Sequence, residues 1–439
     1  MNISPKRRQE LIDALRRGTV PRSSLDALAV GLEPFEEAIS EELTRVRSGS
    51  SVFKAVRGEY GCGKTFFARW LCDRARKKGF VTTEVQISET ETPLHRVETV
   101  YRRLTENLSK TDSETGALRN LVDSWFFTLE EDVLAEGSID ERDTKLLLER
   151  TNELVEKRLR KISDQAPSFS AALRGYRSAQ GENKQDIAEA LLAWLGGQPN
   201  VAASAKRYAG IKGDLDHFGA LGFLQGLLYL IRDAGHGGLL VLLEEVETIQ
   251  RMRTDVREKS LNALRQLIDE VDSGRFPGLY LLITGTTAFF EGPQGVKRLE
   301  PLAQRLHVDF VTDARFDNPR AVQIRLSPFV LERLSEVGSR VRDIYRDYSS
   351  QPQRIDECCG DDYIATLAKA VAGKLGGKTG IAPRIFLKKL VAEILDRIDQ
   401  FDDFNPREHY SLTLNDAELS LVERQAVAAD DINDIELDV

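Results

Sequence analysis

The sequence predicts an α/β fold, a parallel sheet with helices over both faces, and three observations predict it. Short apolar runs alternate with stretches of helical period along much of the chain. One apolar run passes through a glycine-rich loop ending in Lys64-Thr65 directly into a helix-compatible stretch. A second, 239–243, ends in consecutive carboxylates.

The elements follow in order. Ser4 and Pro5 signal a helix start, Leu11, Ile12 and Leu15 recur at helical spacing, and Gly18 stops the helix. Thr19-Val20-Pro21-Arg22 is a stiff connector, and a second helix is expected over about 32–46. The run 52–56 reads as a buried strand and 80–87 as the next, with Val81, Val85 and Ile87 supplying β-branched residues. A helix is expected over 93–108. Between 109 and 216 the alternation stops, and helical stretches broken by loops such as Gly196-Gly197-Gln198-Pro199-Asn200 read as an all-helical insertion. Alternation resumes with a helix over 218–233, a strand over 239–243, a helix over 255–271 and a strand over 279–283. The last third, 319–398, reads as helical, and the acid-rich end 430–439 is expected to be disordered.

The chain has 439 residues, long enough for two or three packed units at about 150 residues each. With 41% hydrophobic and 30% charged residues it has the composition of a globular protein, which excludes wholesale disorder. Lys plus Arg is 61 against 70 Asp plus Glu, a formal charge of −9 that excludes passive coating of nucleic acid, so any DNA contact has to be local. Cys62, Cys72, Cys358 and Cys359 form no CxxC pair or zinc spacing, so neither a disulfide framework nor a structural metal is expected. No apolar stretch follows Lys6, Arg7 and Arg8, and the apolar run 218–231 is interrupted by Gln225 and falls short of the roughly 18 residues of a span. A cytoplasmic protein without membrane contact is expected.

Gly58-Glu59-Tyr60-Gly61-Cys62-Gly63-Lys64-Thr65 fits G-x-x-x-x-G-K-[ST] between strand and helix. Its glycines let backbone N–H groups fold around phosphate oxygens and the helix start adds positive potential, with Phe66 continuing the helix. Lys64 reaches the terminal phosphates and Thr65 holds Mg2+, so ATP and Mg2+ are the expected ligands. Cys62 sits among amides that acidify a thiol, yet reads better as a small spacer. Gly376-Gly377-Lys378-Thr379 imitates the end of the motif, but Ala372 replaces its first glycine and a helical run precedes it, so it reads as a loop. Glu244, Glu245 and Glu247 close the strand 239–243, where carboxylates repel one another unless a cation or hydrogen bonds compensate them. Thr284-Gly285-Thr286-Thr287 ends the next strand at the sheet's carboxyl edge, and Thr286 is assigned to face the γ-phosphate, with Thr284 and Thr287 as competitors.

Together these residues resemble an AAA+ ATPase of the origin-recognition-like branch, with Walker A at 58–65 and Walker B at 239–245. Ala14-Leu15-Arg16-Arg17-Gly18-Thr19-Val20-Pro21, Ala29-Val30-Gly31, Ala193-Trp194-Leu195-Gly196-Gly197 and Gly237-Gly238-Leu239-Leu240-Val241 resemble the ATP-binding proteins of BREX phage-defence systems, the BrxD group. The resemblance extends over about 11–398. It implies a P-loop AAA+ core over 51–312, an N-terminal helical segment 1–50, a helical lid or winged-helix-like domain over 313–400 and a tail over 401–439. It also implies metal binding at Glu244, where the family usually has Asp, water activation by Glu245, and a sensor-one strand ending near Thr286. Arg384, in Gly380-Ile381-Ala382-Pro383-Arg384, takes the sensor-two-like position, and Arg305, or its competitor Arg298, lies where a neighbouring subunit's ATP is within reach. The resemblance further implies an anti-phage role, a homo-oligomer and a helicase-like partner.

Lys64 and Glu244 stand 180 positions apart, whereas an ordinary βαβα path needs about 50 to 70, so the insertion leaves the nucleotide motifs intact. The leading expectation is an ATP-hydrolysing switch or motor acting with a DNA-processing partner. The alternative is a nucleotide-gated scaffold with little hydrolysis, which Glu244 in place of Asp favours. Lys374, Lys378, Arg384, Lys388 and Lys389 are the local candidates for DNA contact, and a solvated basic face explains them equally well. The five histidines are scattered and no GxSxG elbow occurs, which excludes independent protease or esterase chemistry.

Overall fold

Strands in a parallel sheet covered on both faces read as continuous apolar runs, because neither side meets water. The computed structural model describes residues 3–111, 115–137, 144–164, 166–375 and 383–414. Its sheet consists of β1 (Val52–Arg57), β2 (Val81–Gln86), β3 (Leu239–Glu244), β4 (Leu279–Gly285) and β5 (Gln323–Arg325), in the order β2-β3-β4-β1-β5. β1 and β4 are buried at every residue, and β3 at every residue but Glu244. β2 pairs parallel with β3, Val81 opposite Leu239 through Gln86 opposite Glu244, and β3 pairs parallel with β4, Leu239 opposite Leu279 through Leu243 opposite Ile283. The fold is α/β with a parallel sheet, as the alternation of the sequence predicts.

By its internal contacts the chain divides into two compact units. Met1–Ala38, Val56–Asp73 and Asp309–Val439 form one; Ile39–Ala55 and Arg74–Val308 form the other.

The second unit holds β2, β3 and β4 and all the helices of the insertion, Leu118–Ala135, Thr144–Ser163, Pro167–Gly181, Gln185–Leu195 and Ala203–Tyr208. Helix His217–Asp233 carries a ring that joins two of them to helix Val97–Glu106: Phe223 meets Tyr101, Phe169 and Trp194 edge-on, at centroid distances of 5.7, 5.2 and 5.1 Å. Such aromatic pairs add about 0.5–1.5 kcal/mol each beyond their burial. Gly226, one turn on, is required by the same packing, since a Cβ there would stand 2.8 Å from the Phe169 ring. Beneath β4 lies a buried polar triad: Lys54 Nζ pairs with Glu42 Oε1 at 2.5 Å, and the Tyr280 hydroxyl donates to Glu42 Oε2 at 2.6 Å. Burial pushes the Lys54 ammonium down and the Tyr280 phenol far up from their ordinary values.

In the first unit, helix Pro5–Arg16 starts at Ser4, whose hydroxyl accepts from Arg7 N, and stops before Gly18 at φ +71°. Leu11, Ile12 and Leu15 join one core with Val337, Val341, Ile364, Phe386 and Ile394 from the C-terminal helices Leu331–Arg346, Asp361–Lys374 and Pro383–Lys389 and the π-helical turn Leu390–Leu395. Arg16 grips Asp396 through two bonds of 2.6 and 2.8 Å, and the Tyr345 hydroxyl donates to the same carboxylate at 2.7 Å.

One feature departs from the sequence reading, which makes 319–398 helical. β5 is a strand of three residues, and Leu326 N just after it donates to Arg57 O at 2.9 Å. A strand this short has no periodicity of its own and depends on a partner more than 250 positions earlier. The second glycine-lysine motif (376–379), the turn 380–382 before Arg384 and the acidic end 430–439 lie outside the described residues.

The triad yields a test of stability. Glu42→Ala leaves a buried ammonium and phenol without their acceptor and is expected to cost about 3–5 kcal/mol in urea unfolding. The paired replacement Glu42→Leu with Lys54→Met is expected to cost less than Glu42→Ala, because no buried charge is left uncompensated.

Candidate functional site

The residues to which the sequence reading assigns nucleotide chemistry fall into two groups, one in each unit. In the first, the loop 58–65 leaves β1 and enters helix Lys64–Lys77. Gly61 and Gly63 stand at φ +78° and +93°, a left-handed backbone that side chains resist by about 1–2 kcal/mol. Gly58 is required by space instead: a Cβ there would lie 2.4 Å from Cys62 Sγ and 3.2 Å from Leu326 O. Lys64 Nζ donates to Gly58 O at 2.9 Å and Glu59 O at 3.0 Å and stands 5.2 Å from the Tyr60 ring centre. Its ammonium is thus folded over the loop. Thr65 is half-buried at the helix start, and Phe66 packs with Phe329 on the helical core of this unit.

Cys62 is buried beneath the loop, and burial pushes its thiol up, with the nearby Lys64 charge opposing the shift but not overcoming it. The spacer reading fits this environment; acidification does not. Arg384 is exposed on helix Pro383–Lys389, and its guanidinium neighbours Gly18, 3.7 Å from where a Cβ on that glycine would stand.

In the second unit the parallel register gathers polar ends of strands at one edge of the sheet. Glu244 ends β3 directly opposite Gln86, which ends β2. Glu245 follows at φ +57°, ψ +39°, and its Oε2 accepts from Gln86 Nε2 at 2.9 Å. Thr248 secures the same turn, its N–H and hydroxyl donating to Glu245 O at 3.0 and 2.9 Å. Among the described residues only Ser24, Asn183 and Asn200 share a positive φ with Glu245 outside glycine. Unlike serine and asparagine, glutamate has no short polar group to ease that backbone, and strain of this kind collects where function demands it. Thr284 follows Ile283, the partner of Leu243, so it is the threonine nearest Glu244 in register. Thr286 is buried and caps helix Thr287–Glu291, its hydroxyl accepting from Phe289 N at 3.3 Å.

Both candidate finger arginines are engaged within their own unit. Arg305 pairs with Asp269 and donates to Pro301 O at 2.7 Å, and Arg298 donates to Glu258 at 2.8 Å. Gln86 is the site residue that sequence reasoning misses. Nothing in the sequence marks it, since β2 already carries Thr82, Thr83 and Glu84, and only the strand register gives that position meaning.

The loop's own geometry fits a polyphosphate. Three of its positions, 58, 61 and 63, exclude a Cβ by contact or by backbone angle, which is what close approach of backbone N–H groups to phosphate oxygens requires. Among the described residues no three His, Cys, Asp or Glu side chains are grouped to hold a metal.

A family model described as BREX system ATP-binding protein BrxC/D matches residues 3–414. No curated protein matches the chain. Among solved structures, one match is the structure of the Aeropyrum pernix ORC2 protein (ADPNP-ADP complexes), at 14% identity and a TM-score of 0.36, covering 82% of this chain and 67% of that one. No described helix is long and apolar enough to cross a membrane.

The raised thiol gives a chemical test of the loop. At pH 7–8 Cys62 is expected to react with iodoacetamide about tenfold or more slowly than half-buried Cys358, read peptide by peptide by mass spectrometry, because a higher pKa leaves less thiolate.

Proposed function

The chain belongs to the BREX system ATP-binding protein BrxC/D family, and we propose that it binds and hydrolyses ATP as a switch or motor of this anti-phage defence system. The observation that carries this reading is the loop 58–65, where Gly61 and Gly63 hold a left-handed backbone that suits a phosphate cradle. In this reading the backbone of 58–66 surrounds the phosphates and Lys64 exchanges its carbonyl partners for phosphate oxygens, the stronger charge-assisted acceptors. Thr65 and Glu244 are the residues that would hold Mg2+, which when bound neutralises phosphate charge. Glu245 orients and deprotonates the attacking water, and Gln86 sets the direction of its carboxylate. In a parallel sheet ligands lie at the carboxyl ends of the strands, the edge where β3 and β4 present Glu244, Glu245, Thr284 and Thr286.

Thr286 and Arg384 are proposed to sense the γ-phosphate, and Arg305 to act on the ATP of a neighbouring copy in a homo-oligomer once Asp269 releases it. A helicase-like partner, and DNA touched directly or through that partner, complete the proposal. A second reading, a nucleotide-gated scaffold with little hydrolysis, is favoured by the bond from Gln86, which engages one oxygen of Glu245.

Lys64→Ala is expected to weaken ATP binding at least about 100-fold in titration calorimetry, the loss of a charge-assisted phosphate contact together with its positioning effect. Glu245→Gln is expected to retain ATP and lose about 10²-fold or more in phosphate release, measured with and without duplex DNA. Unchanged turnover in Glu245→Gln defeats the assignment of the base, and negligible release from the unaltered chain under both conditions selects the scaffold. Gln86→Ala is expected to lower kcat with KM little changed; a rise in kcat instead identifies the bond as a restraint and supports the scaffold reading.

A further inference from the structure

The second unit contains a cavity of about 680 Å³ that the nucleotide reading does not use. Helix Thr144–Ser163 brings Arg158 and Lys161 to its wall, helix His217–Asp233 brings Tyr229, Arg232 and Asp233, and the turn after helix Thr254–Asp272 brings Arg275. Four of these are cations and one is an anion, in a chain of net charge −9. Like charges on one wall repel unless anions compensate them.

Compensation from within the protein is incomplete. Both oxygens of Asp233 are engaged, Oδ1 by Arg158 Nη1 and Oδ2 by Trp125 Nε1, each at 2.9 Å. Arg275 donates to Glu270 at 2.7 Å. Lys161 and Arg232 have no carboxylate within salt-bridge distance among the described residues. Arg232 is nevertheless fixed in place. Its stem lies against Gly278 and its guanidinium beside Gly49, so that a Cβ would stand 2.4 Å from Cδ at the first position and 3.0 Å from Nη2 at the second. Arg158 Nε is buried at this wall without an acceptor among the described residues, and the buried Tyr229 hydroxyl lies beside the same Arg158 guanidinium, a donor that leaves the phenol proton without an acceptor. Buried donors lacking acceptors, beside two uncompensated cations, call for an anionic ligand rich in acceptor oxygens.

We propose that this cavity is a second ligand site that takes the phosphate groups of a nucleotide, either free or at the end of a nucleic-acid strand. Arginine forks match phosphate oxygens in pairs, and Lys161 adds a mobile point charge at the rim. The Tyr229 ring and Ile162 provide an apolar wall against which a base can lie. The volume falls in the range of about 300–1,000 Å³ usual for small-ligand sites. Occupancy would tie the insertion helix Thr144–Ser163 to helix His217–Asp233, which leads into β3. The site stands independently of the loop at 58–65.

The test uses the full chain carrying Lys64→Ala, so that binding at the loop is weakened about 100-fold or more, with two probes: a fluorescent ADP analogue and a short 5′-phosphorylated single-stranded DNA. At least one is expected to bind saturably and to be displaced by inorganic pyrophosphate. Lys161→Glu is expected to weaken that binding by about tenfold or more, Lys161→Arg to retain it, and Lys297→Glu, an exposed lysine distant in sequence from every wall residue, to leave it unchanged. Binding of ADP identifies a free nucleotide, and binding of the strand alone identifies a nucleic-acid end. No saturable binding of either probe, or equal weakening by Lys161→Glu and Lys297→Glu, overturns the proposal. Neither result bears on ATP at the loop, which the unaltered chain reports separately.

Discussion

The parallel register between β2 and β3 is the constraint on which the acidic edge depends. It sets Val81 opposite Leu239 and Gln86 opposite Glu244 across the whole insertion. Side chains alternate between faces with a period of two, so a slip of one residue would move every β3 leucine to the opposite face and part Gln86 from the turn at Glu245. Because β3 is buried over 239–243 and polar only at Glu244, a slip would draw that carboxylate into the buried layer, and this makes it costly. A strained glutamate and its amide partner are therefore held by hydrophobic packing several residues away, not by the polar contacts themselves.

The same logic explains how a chain tolerates so large an insertion. Each doubling of a loop's length adds only about 0.6 kcal/mol of closure entropy, so β2 and β3 pair at little extra cost provided the added segment folds on its own core. Phe223 ties that core to the helices flanking the insertion, since Phe169 and Trp194 of the insertion and Tyr101 before it converge on one ring. The helices of the insertion thus add surface without disturbing the register, and the basic cavity lies where one of them meets helix His217–Asp233.

In the first unit the tie is electrostatic as well as apolar. Arg16 and Tyr345 converge on Asp396, joining a helix near the beginning of the chain to helices near the end of the described residues. Removing Asp396 would leave the buried Tyr345 hydroxyl without its acceptor while Arg16 keeps Asp13, and the intact group adds direction to a core already built from Leu11, Ile12 and Leu15. Helix Pro5–Arg16, the described C-terminal helices and the loop 58–65 thereby belong to one compact body.

Local chemistry made much of this protein legible without coordinates. A strand, glycines at 58, 61 and 63 and a helix starting at Lys64 are neighbours in sequence, and their backbone angles follow from the residues themselves. Capping at Ser4, the stop at Gly18 and the all-apolar strands are local in the same sense. The sequence by itself therefore determined the class of fold, the loop and the acidic strand end. Tertiary structure alone decided what those features face. β5 exists only through its distant partner, Gln86 gains a role only through register, Arg305 and Arg298 prove to be paired with Asp269 and Glu258, and the cations of the cavity converge from three separated segments. Propensity and periodicity act over a few residues, while pairing, burial and charge compensation act between residues that only folding brings together.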